Sequence, residues 1–312
     1  MIGRSDSFRM ALALIDKMAS FDAPVLIEGE TGTGKELAAR AIHYRGARHG
    51  GPFVPVNCGA IPDTLIENEL FGHRRGAYTD ARVDQAGLVE LARGGTLFLD
   101  EVDALTPKAQ VTLLRFLQDR QFRPLGSRRE QQADVRVIAA ANRDLEALAA
   151  AGGFRQDLLY RLKLLHLVLP PLRERHGDAA LLAEHFIQVA AARYGKPALP
   201  LDRATLEWLE RYRWPGNIRE LENAVHRAFL LCEGDCVAIS APASLAEAPS
   251  APLNYRNAKS HAIAEFEIRF LSNLLGQANG NVSAAARISG TERRQLGRLL
   301  KKYHLSKQPR QI

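Results

Sequence analysis

Eight consecutive residues, Gly29-Glu30-Thr31-Gly32-Thr33-Gly34-Lys35-Glu36, carry the first chemistry that can be read in the chain. Three glycines let the backbone bend so that its N–H groups converge on phosphate oxygens, and Lys35 adds a point charge for the terminal phosphates. An apolar strand, Val25-Leu26-Ile27, precedes the loop and a helical stretch, Leu37 to Ile42, follows it, which is the context a polyphosphate-binding loop requires. The usual pattern has Ser or Thr after the lysine, with its hydroxyl on magnesium; here Glu36 stands there. Sixty residues on, the apolar run Thr96-Leu97-Phe98-Leu99 ends in Asp100-Glu101. Asp100 is placed to hold magnesium, directly or through water, and Glu101 to polarise an attacking water, so a polyphosphate with Mg2+ is the expected ligand pair. Taken alone, an acidic pair at a strand end is as readily a solvated turn.

The elements that must position these residues alternate. Pro24 to Ile27, Phe53 to Val56, Thr96 to Leu99 and Val135 to Ala139 are strand-like, with amphipathic helical stretches between them. That order implies right-handed crossovers and a mostly parallel sheet, an α/β fold. From Asp178 to about Cys232 only helical periodicity remains, through Leu181, Leu182, Phe186, Val189, Leu206, Leu209 and Tyr212, as in a small all-α lid. Residues 239–254 are dominated by Ala, Pro and Ser and read as linker. The expected division is an α/β ATPase core over 1–172, a helical lid over 173–238, a linker over 239–260, a DNA-binding domain over 261–306 and a tail over 307–312.

Charge separates the C-terminal part from the rest. The 312 residues carry a formal net charge of +7, yet the stretch from Ala251 onward holds 11 Lys and Arg against 3 Asp and Glu. Such a basic block is the electrostatic footprint of a phosphate backbone. Apolar spacing over Ala264 to Ala278, at Phe266, Ile268, Phe270, Leu271, Leu274 and Leu275, predicts a packing helix. Val282 to Ile288, the turn Ser289-Gly290, and Thr291 to Tyr303 then form two helices around a glycine, the second basic: a helix-turn-helix that enters the major groove of double-stranded DNA. Arg293, Arg294, Gln295 and Arg298 are assigned to the groove, Lys301 and Lys302 to phosphates. Cys58, Cys232 and Cys236 are expected to be reduced, and no apolar run approaches the roughly 18 residues that span a bilayer, so a cytoplasmic protein without membrane contact is expected.

Several longer strings give the chain a resemblance to a known family, the AAA+ activators of sigma-54 RNA polymerase, or bacterial enhancer-binding proteins. They are Gly29 to Glu36 with its glutamate, Gly76-Ala77-Tyr78-Thr79-Asp80-Ala81, Phe154 to Leu162, Leu169 to Arg175, and Trp214-Pro215-Gly216-Asn217-Ile218-Arg219-Glu220-Leu221. The C-terminal module is similar to the Fis-type domain usual in that family.

The resemblance implies a homo-oligomer, dimers assembling to a hexamer, that hydrolyses ATP between subunits. Arg155 and Arg161 match arginines that reach into the neighbour's site. Asn142 and Arg219 match the two sensors, and Asn57 matches an asparagine that restrains the catalytic glutamate, here Glu101. Ala141 departs from the threonine common before the sensor asparagine. Gly76 to Ala81, between apparently helical segments, matches the loop that grips sigma-54, with Asp80 in place of a glycine. The implied partners are double-stranded DNA, sigma-54 RNA polymerase and further copies of the chain. No receiver or ligand-sensing domain is visible before Ile2-Gly3-Arg4, so control is expected from a regulatory protein in trans, from abundance, or from a domain outside the sequence. Asp80 motivates an alternative: a nucleotide-assembled DNA-binding regulator that has lost its grip on sigma-54 and acts as a repressor or through another sigma factor.

Overall fold

The computed structural model describes residues 1–303 except 80, 233, 240–262, 264–266, 268–269, 272–273, 276–277 and 279–280. Asp80, nearly all of the expected linker, Phe266, Ile268 and the 307–312 tail therefore lie outside the described residues. The chain divides into two units, Met1–Ser240 and Ala241–Ile312.

The first unit is built on five parallel strands, in the order β2-β5-β8-β1-β9: β1 (Val25–Glu28), β2 (Phe53–Asn57), β5 (Thr96–Asp100), β8 (Arg136–Ala141) and β9 (Leu165–Val168). Four of them follow the apolar runs of the sequence; three continue one residue further, to Glu28, Asn57 and Asp100, and β8 continues two, to Ala141. The fifth, β9, lies on the sheet edge, where a half-polar sequence such as Leu165-His166-Leu167-Val168 is sufficient.

Both faces of the sheet are covered, which is why β8 is buried at all six positions. One face presents Leu26, Leu97, Leu99, Val137 and Ala139 to α3 (Ile66–Phe71), α5 (Pro107–Asp119), α6 (Leu145–Ala150) and α7 (Gln156–Leu162). The other presents Val25, Ile27, Phe98 and Ile138 to α1 (Asp6–Ala19) and α2 (Lys35–Arg45). The two-residue period of a strand makes this division, since alternate side chains point to opposite faces.

The lid consists of α8 (Asp178–Tyr194), α9 (Arg203–Arg211) and α10 (Asn217–Leu230) around Leu182, Ile187, Leu209, Trp214, Leu221 and Phe229. Trp214 is fully buried and donates its indole N–H to the Leu209 carbonyl at 3.0 Å, so the largest side chain of the lid leaves no polar atom unpaired. A buried charge cluster joins the lid to the N-terminal segment. The Asp178 carboxylate accepts from the Arg4 and Ser5 N–H groups, the Ser5 hydroxyl and the Arg175 guanidinium, and Arg175 also lies over the Phe8 ring.

In the second unit, Leu271, Leu274 and Ala278 pack with Ala285 and Ala286 of helix Val282–Ser289 and with Leu296 and Leu300 of helix Arg293–Lys302. Asn281 caps the first helix by accepting from the Ser283 and Ala284 N–H groups, a contribution of about 1 kcal/mol. Gly290 ends it in the left-handed region at φ +66°, so the turn needs a residue without a Cβ. Among the described residues no helix is long and apolar enough to cross a membrane.

Candidate nucleotide site and nucleic-acid interface

The candidate nucleotide site lies at the carboxyl ends of β1, β5 and β8, where a parallel sheet opens a crevice. The loop after β1 bends through Gly32 (φ +81°) and Gly34 (φ +96°) and delivers Lys35 as the first residue of α2. Gly32 is also required for space: a Cβ there would meet the Gly216 carbonyl at 2.3 Å. Thr33 is buried, and its hydroxyl donates to the Glu30 carbonyl.

Lys35 is 7% exposed, and its ammonium donates to Asn142 Oδ1 (2.7 Å), Gly29 O (2.7 Å) and Glu30 O (3.1 Å). Burial lowers its pKa, while Asp100, Asp103 and Glu101 hold it up and the nearby Arg219 charge lowers it again. Asn142 also accepts from the Thr31 hydroxyl at 3.2 Å, and its N–H donates to Asp103 Oδ1 at 3.1 Å.

Asp100 is the last residue of β5 and is half-buried. Burial raises its pKa, against the Glu101 N–H, which donates to Oδ1 at 2.9 Å, and against Lys35. A carboxylate disfavoured by its surroundings is one that gains from a cation. Among the described residues no three His, Cys, Asp or Glu side chains cluster as a metal cage. An oxygen-seeking ion here would be held by Asp100 with phosphate and water oxygens, the usual mode for magnesium. Glu101 adopts φ +56°, a left-handed conformation uncommon for a side chain of this kind. Its carboxylate lies against Gly59, where a Cβ would come within 2.8 Å of Oε2.

The other expected site residues are placed as follows. Asn57 is registered opposite Asp100 across β2 and β5, but its amide oxygen accepts from the Gly59 and Ala60 N–H groups; among the described residues these, not Glu101, are its recorded partners. Glu36 turns outward to Arg40 at 2.8 Å, a helical i,i+4 pair, instead of facing the loop. Arg219 is exposed on α10 near Lys35. Arg155 and Arg161 are exposed on the α7 segment, and Arg155 forms a bidentate pair with Asp157, which raises its pKa through that hydrogen bond.

Gly76 to Ala81 lies, as expected, between two helices, α3 and α4 (Leu88–Leu91), and is carried there by a hairpin whose strands, β3 (Gly72–His73) and β4 (Gln85–Ala86), pair antiparallel. Asp84 closes the hairpin neck by accepting from the Arg75 N–H and the Arg74 guanidinium, and Tyr78 at the tip stands edge-on to His73. Ala77 is also approached by Gly126, in the loop joining β6 (Gln121–Phe122) and β7 (Gln131–Gln132).

Three contributors carried no sequence assignment. Asn217, in the left-handed region at φ +52° and fully buried, bonds Glu30 and Thr31 of the loop. Arg173 makes a bidentate pair with Glu30, whose pKa it lowers, with Asn217 lowering it further. Asp103 orients Asn142. The signal available was the string containing Asn217, but only proximity in space assigns its amide a partner 186 residues away.

In the second unit, Arg293, Arg294, Gln295, Arg298 and Lys301 are exposed along the second helix, while Leu296 and Leu300 turn inward. Lys302 differs from its neighbours: its ammonium reaches Glu267 at 3.4 Å and lies over the Tyr303 ring, so it is already engaged within the unit.

The comparisons agree with this geometry. Residues 1–168 match the sigma-54 interaction domain, 173–252 the AAA+ ATPase lid domain, and 262–303 the bacterial regulatory proteins of the Fis family. The regulatory protein AtoC of Escherichia coli is 44% identical over 92% of this chain and 64% of its own length. The response regulator protein PilR of Pseudomonas aeruginosa is 43% identical over 97% of the chain and 69% of its own. The chain thus spans about two thirds of these relatives. Crystal structures of NtrX from Brucella abortus, in complexes with ATP and with ADP, superpose with TM-scores of 0.73 and 0.72 at 33% identity, covering 98% of this chain and 69% of theirs. A P-loop loop, a parallel sheet, an AAA+ ATPase lid and a Fis-type helix-turn-helix in one chain leave a single assignment: it belongs to the family of sigma-54-dependent transcription activators.

Proposed function

We propose that the protein is an ATP-driven activator that binds DNA upstream of a promoter, assembles into a ring, and remodels the closed complex of sigma-54 RNA polymerase. The observation that carries this reading is the meeting of Lys35, Asn142, Asp100 and Glu101 at one end of the sheet, with Arg219 of the lid beside the lysine. ATP bound in the related NtrX crystals supports the choice of nucleotide.

In this reading the loop N–H groups and Lys35 bind the phosphates, Asp100 holds magnesium, and Glu101 orients the attacking water. Magnesium would neutralise phosphate charge. Arg155 and Arg161, exposed on their own subunit, would complete the site of the next one, which makes assembly a condition of turnover. The exposed basic face of the last helix would hold the promoter-upstream DNA, and the Tyr78 hairpin would carry the motion to the sigma factor.

Open-complex formation with purified sigma-54 polymerase and ATP tests the reading. Opening by the unaltered protein, lost on Lys35→Ala, is the expected result. Opening by Asp80→Gly alone would show that the loop has lost its grip; no opening by either would sink the proposal.

A further inference from the structure

The lid is hydrogen-bonded to the phosphate loop at the start of α10, above all through Asn217. Asn217 opens α10 with a left-handed backbone, and both the oxygen and the nitrogen of its buried amide are hydrogen-bonded. Oδ1 accepts from the Leu172 N–H at 2.8 Å, and Nδ2 donates to Glu30 Oε2 at 3.2 Å and to Thr31 O at 3.0 Å. Next to it the Ile218 N–H donates to Gly32 O at 3.0 Å. Arg173, in the hinge between sheet and lid, grips the same Glu30 carboxylate at 2.7 and 2.8 Å. Loop, hinge and lid are therefore closed into one network.

The members do not contribute equally. Glu30 and Arg173 are about 40% exposed, and an exposed ion pair shifts an equilibrium by at most ~5-fold. The Asn217 amide is fully buried, so an acceptor in place of its donor would face Glu30 and Thr31 with no water to turn to, an effect of ~10-fold or more. Lys35 meanwhile donates to Gly29 O and Glu30 O, in the same stretch of loop.

Resting on the nucleotide reading above, we propose that Asn217 is a positioning residue that couples the phosphate loop to the lid. A polyphosphate that draws the Lys35 ammonium off the Gly29 and Glu30 carbonyls changes the loop where Asn217 Nδ2 holds it. The start of α10, with Arg219 two residues on, follows. Glu30 and Arg173 bias the same coupling without deciding it.

Asn217→Asp tests this, because Asp tolerates the left-handed backbone and keeps the acceptor for Leu172 while turning the donor toward Glu30 and Thr31 into a carboxylate oxygen. The reciprocal change Glu30→Gln restores a donor–acceptor pair with the two groups exchanged. The readouts are ADP affinity, from a fluorescent ADP analogue, and hydrogen exchange of the peptide containing Ile218 with and without ADP. Asn217→Asp is expected to weaken ADP at least ~10-fold and to abolish the protection that ADP gives Ile218, and the Asn217→Asp, Glu30→Gln double variant to recover part of both, because the Thr31 carbonyl still lacks its donor. The latch is overturned if Asn217→Asp behaves as the unaltered protein, or if its defect is no smaller in the double variant. Should Asn217→Asp not fold, Glu30→Ala leaves the buried residue intact and should weaken ADP ~3- to 5-fold with faster Ile218 exchange; no change in either also overturns the latch. Absence of ADP binding by the unaltered protein would instead bring down the nucleotide reading, and the latch with it.

Discussion

Lys35 Nζ lies 2.7 Å from Asn142 Oδ1, joining the ends of β1 and β8 across 107 residues of sequence. Nucleotide phosphates entering the loop compete with this asparagine and with two loop carbonyls for one ammonium. The lysine and the asparagine should thus separate binding from turnover. Lys35→Ala is expected to weaken ATP ~100-fold or more in a binding titration, since no other buried cation faces the loop among the described residues. Asn142→Ala should leave KM within a few-fold and lower kcat by roughly 100-fold. Equal loss of affinity in both variants would mean that Asn142 only supports the lysine.

Glu101 and Arg155 should fail in different ways. Glu101→Gln keeps the shape and removes the base, so the protein should hold ATP and turn it over ~100-fold or more slowly, read by filter retention and phosphate release. Arg155→Ala should bind ATP normally and lose ~1,000-fold in hydrolysis. Mixing it with Lys35→Ala subunits should restore part of the rate, because each variant supplies what the other lacks. No rescue in any ratio argues against a site shared between subunits.

The buried Asp178 predicts a pH-dependent stability. Burial pushes its pKa up, but the hydrogen bonds from Arg4, Arg175 and Ser5 outweigh that and leave it below the ordinary value of 3.8. Burial weakens the hold of Arg175 on its proton, yet a guanidinium remains charged at neutral pH, so the pair is ionic. A depressed carboxylate pKa contributes stability above its unfolded value and loses it as pH falls through the folded one. Asp178→Asn should therefore cost about 3 kcal/mol at pH 7 in urea unfolding, with the gap closing below about pH 4. A gap that is constant with pH would assign the loss to packing.

Cys58 should be silent to thiol reagents. Burial first, then the charges of Asp100, Glu101 and Asp103, push its pKa up to about 12, and the attacking form is the thiolate. At pH 8 an aromatic disulfide reagent should label the partly and fully exposed Cys232 and Cys236 and reach Cys58 only on unfolding. Fast labelling of three thiols in the native protein would contradict the packing at the end of β2.

On DNA, Lys301→Ala should lower the slope of log affinity against log salt by ~1, as for one lost phosphate contact. Lys302→Ala should change it less, because Glu267 and Tyr303 already occupy that ammonium. The order reverses if Lys302 abandons Glu267 for the backbone phosphates.

Residue type and local spacing carried a good deal of this. Gly32, Gly34 and Lys35 announce a phosphate loop because the positive φ and the charge it needs belong to those residues whatever surrounds them. The runs Thr96 to Leu99 and Val135 to Ala139 announce buried strands for the same reason, and Gly290 between two helices announces a sharp turn. Tertiary structure decided what depends on a partner distant in sequence. It gave Asn142 to Lys35, Asn217 to Glu30 and Thr31, and Lys302 to Glu267, and it turned Asn57 toward a local cap. It also placed the Tyr78 loop on a hairpin, since two-residue strands have no periodicity to read and exist only through each other. A backbone preference is written in single residues, whereas a hydrogen bond across 186 positions exists only after the chain has closed on itself.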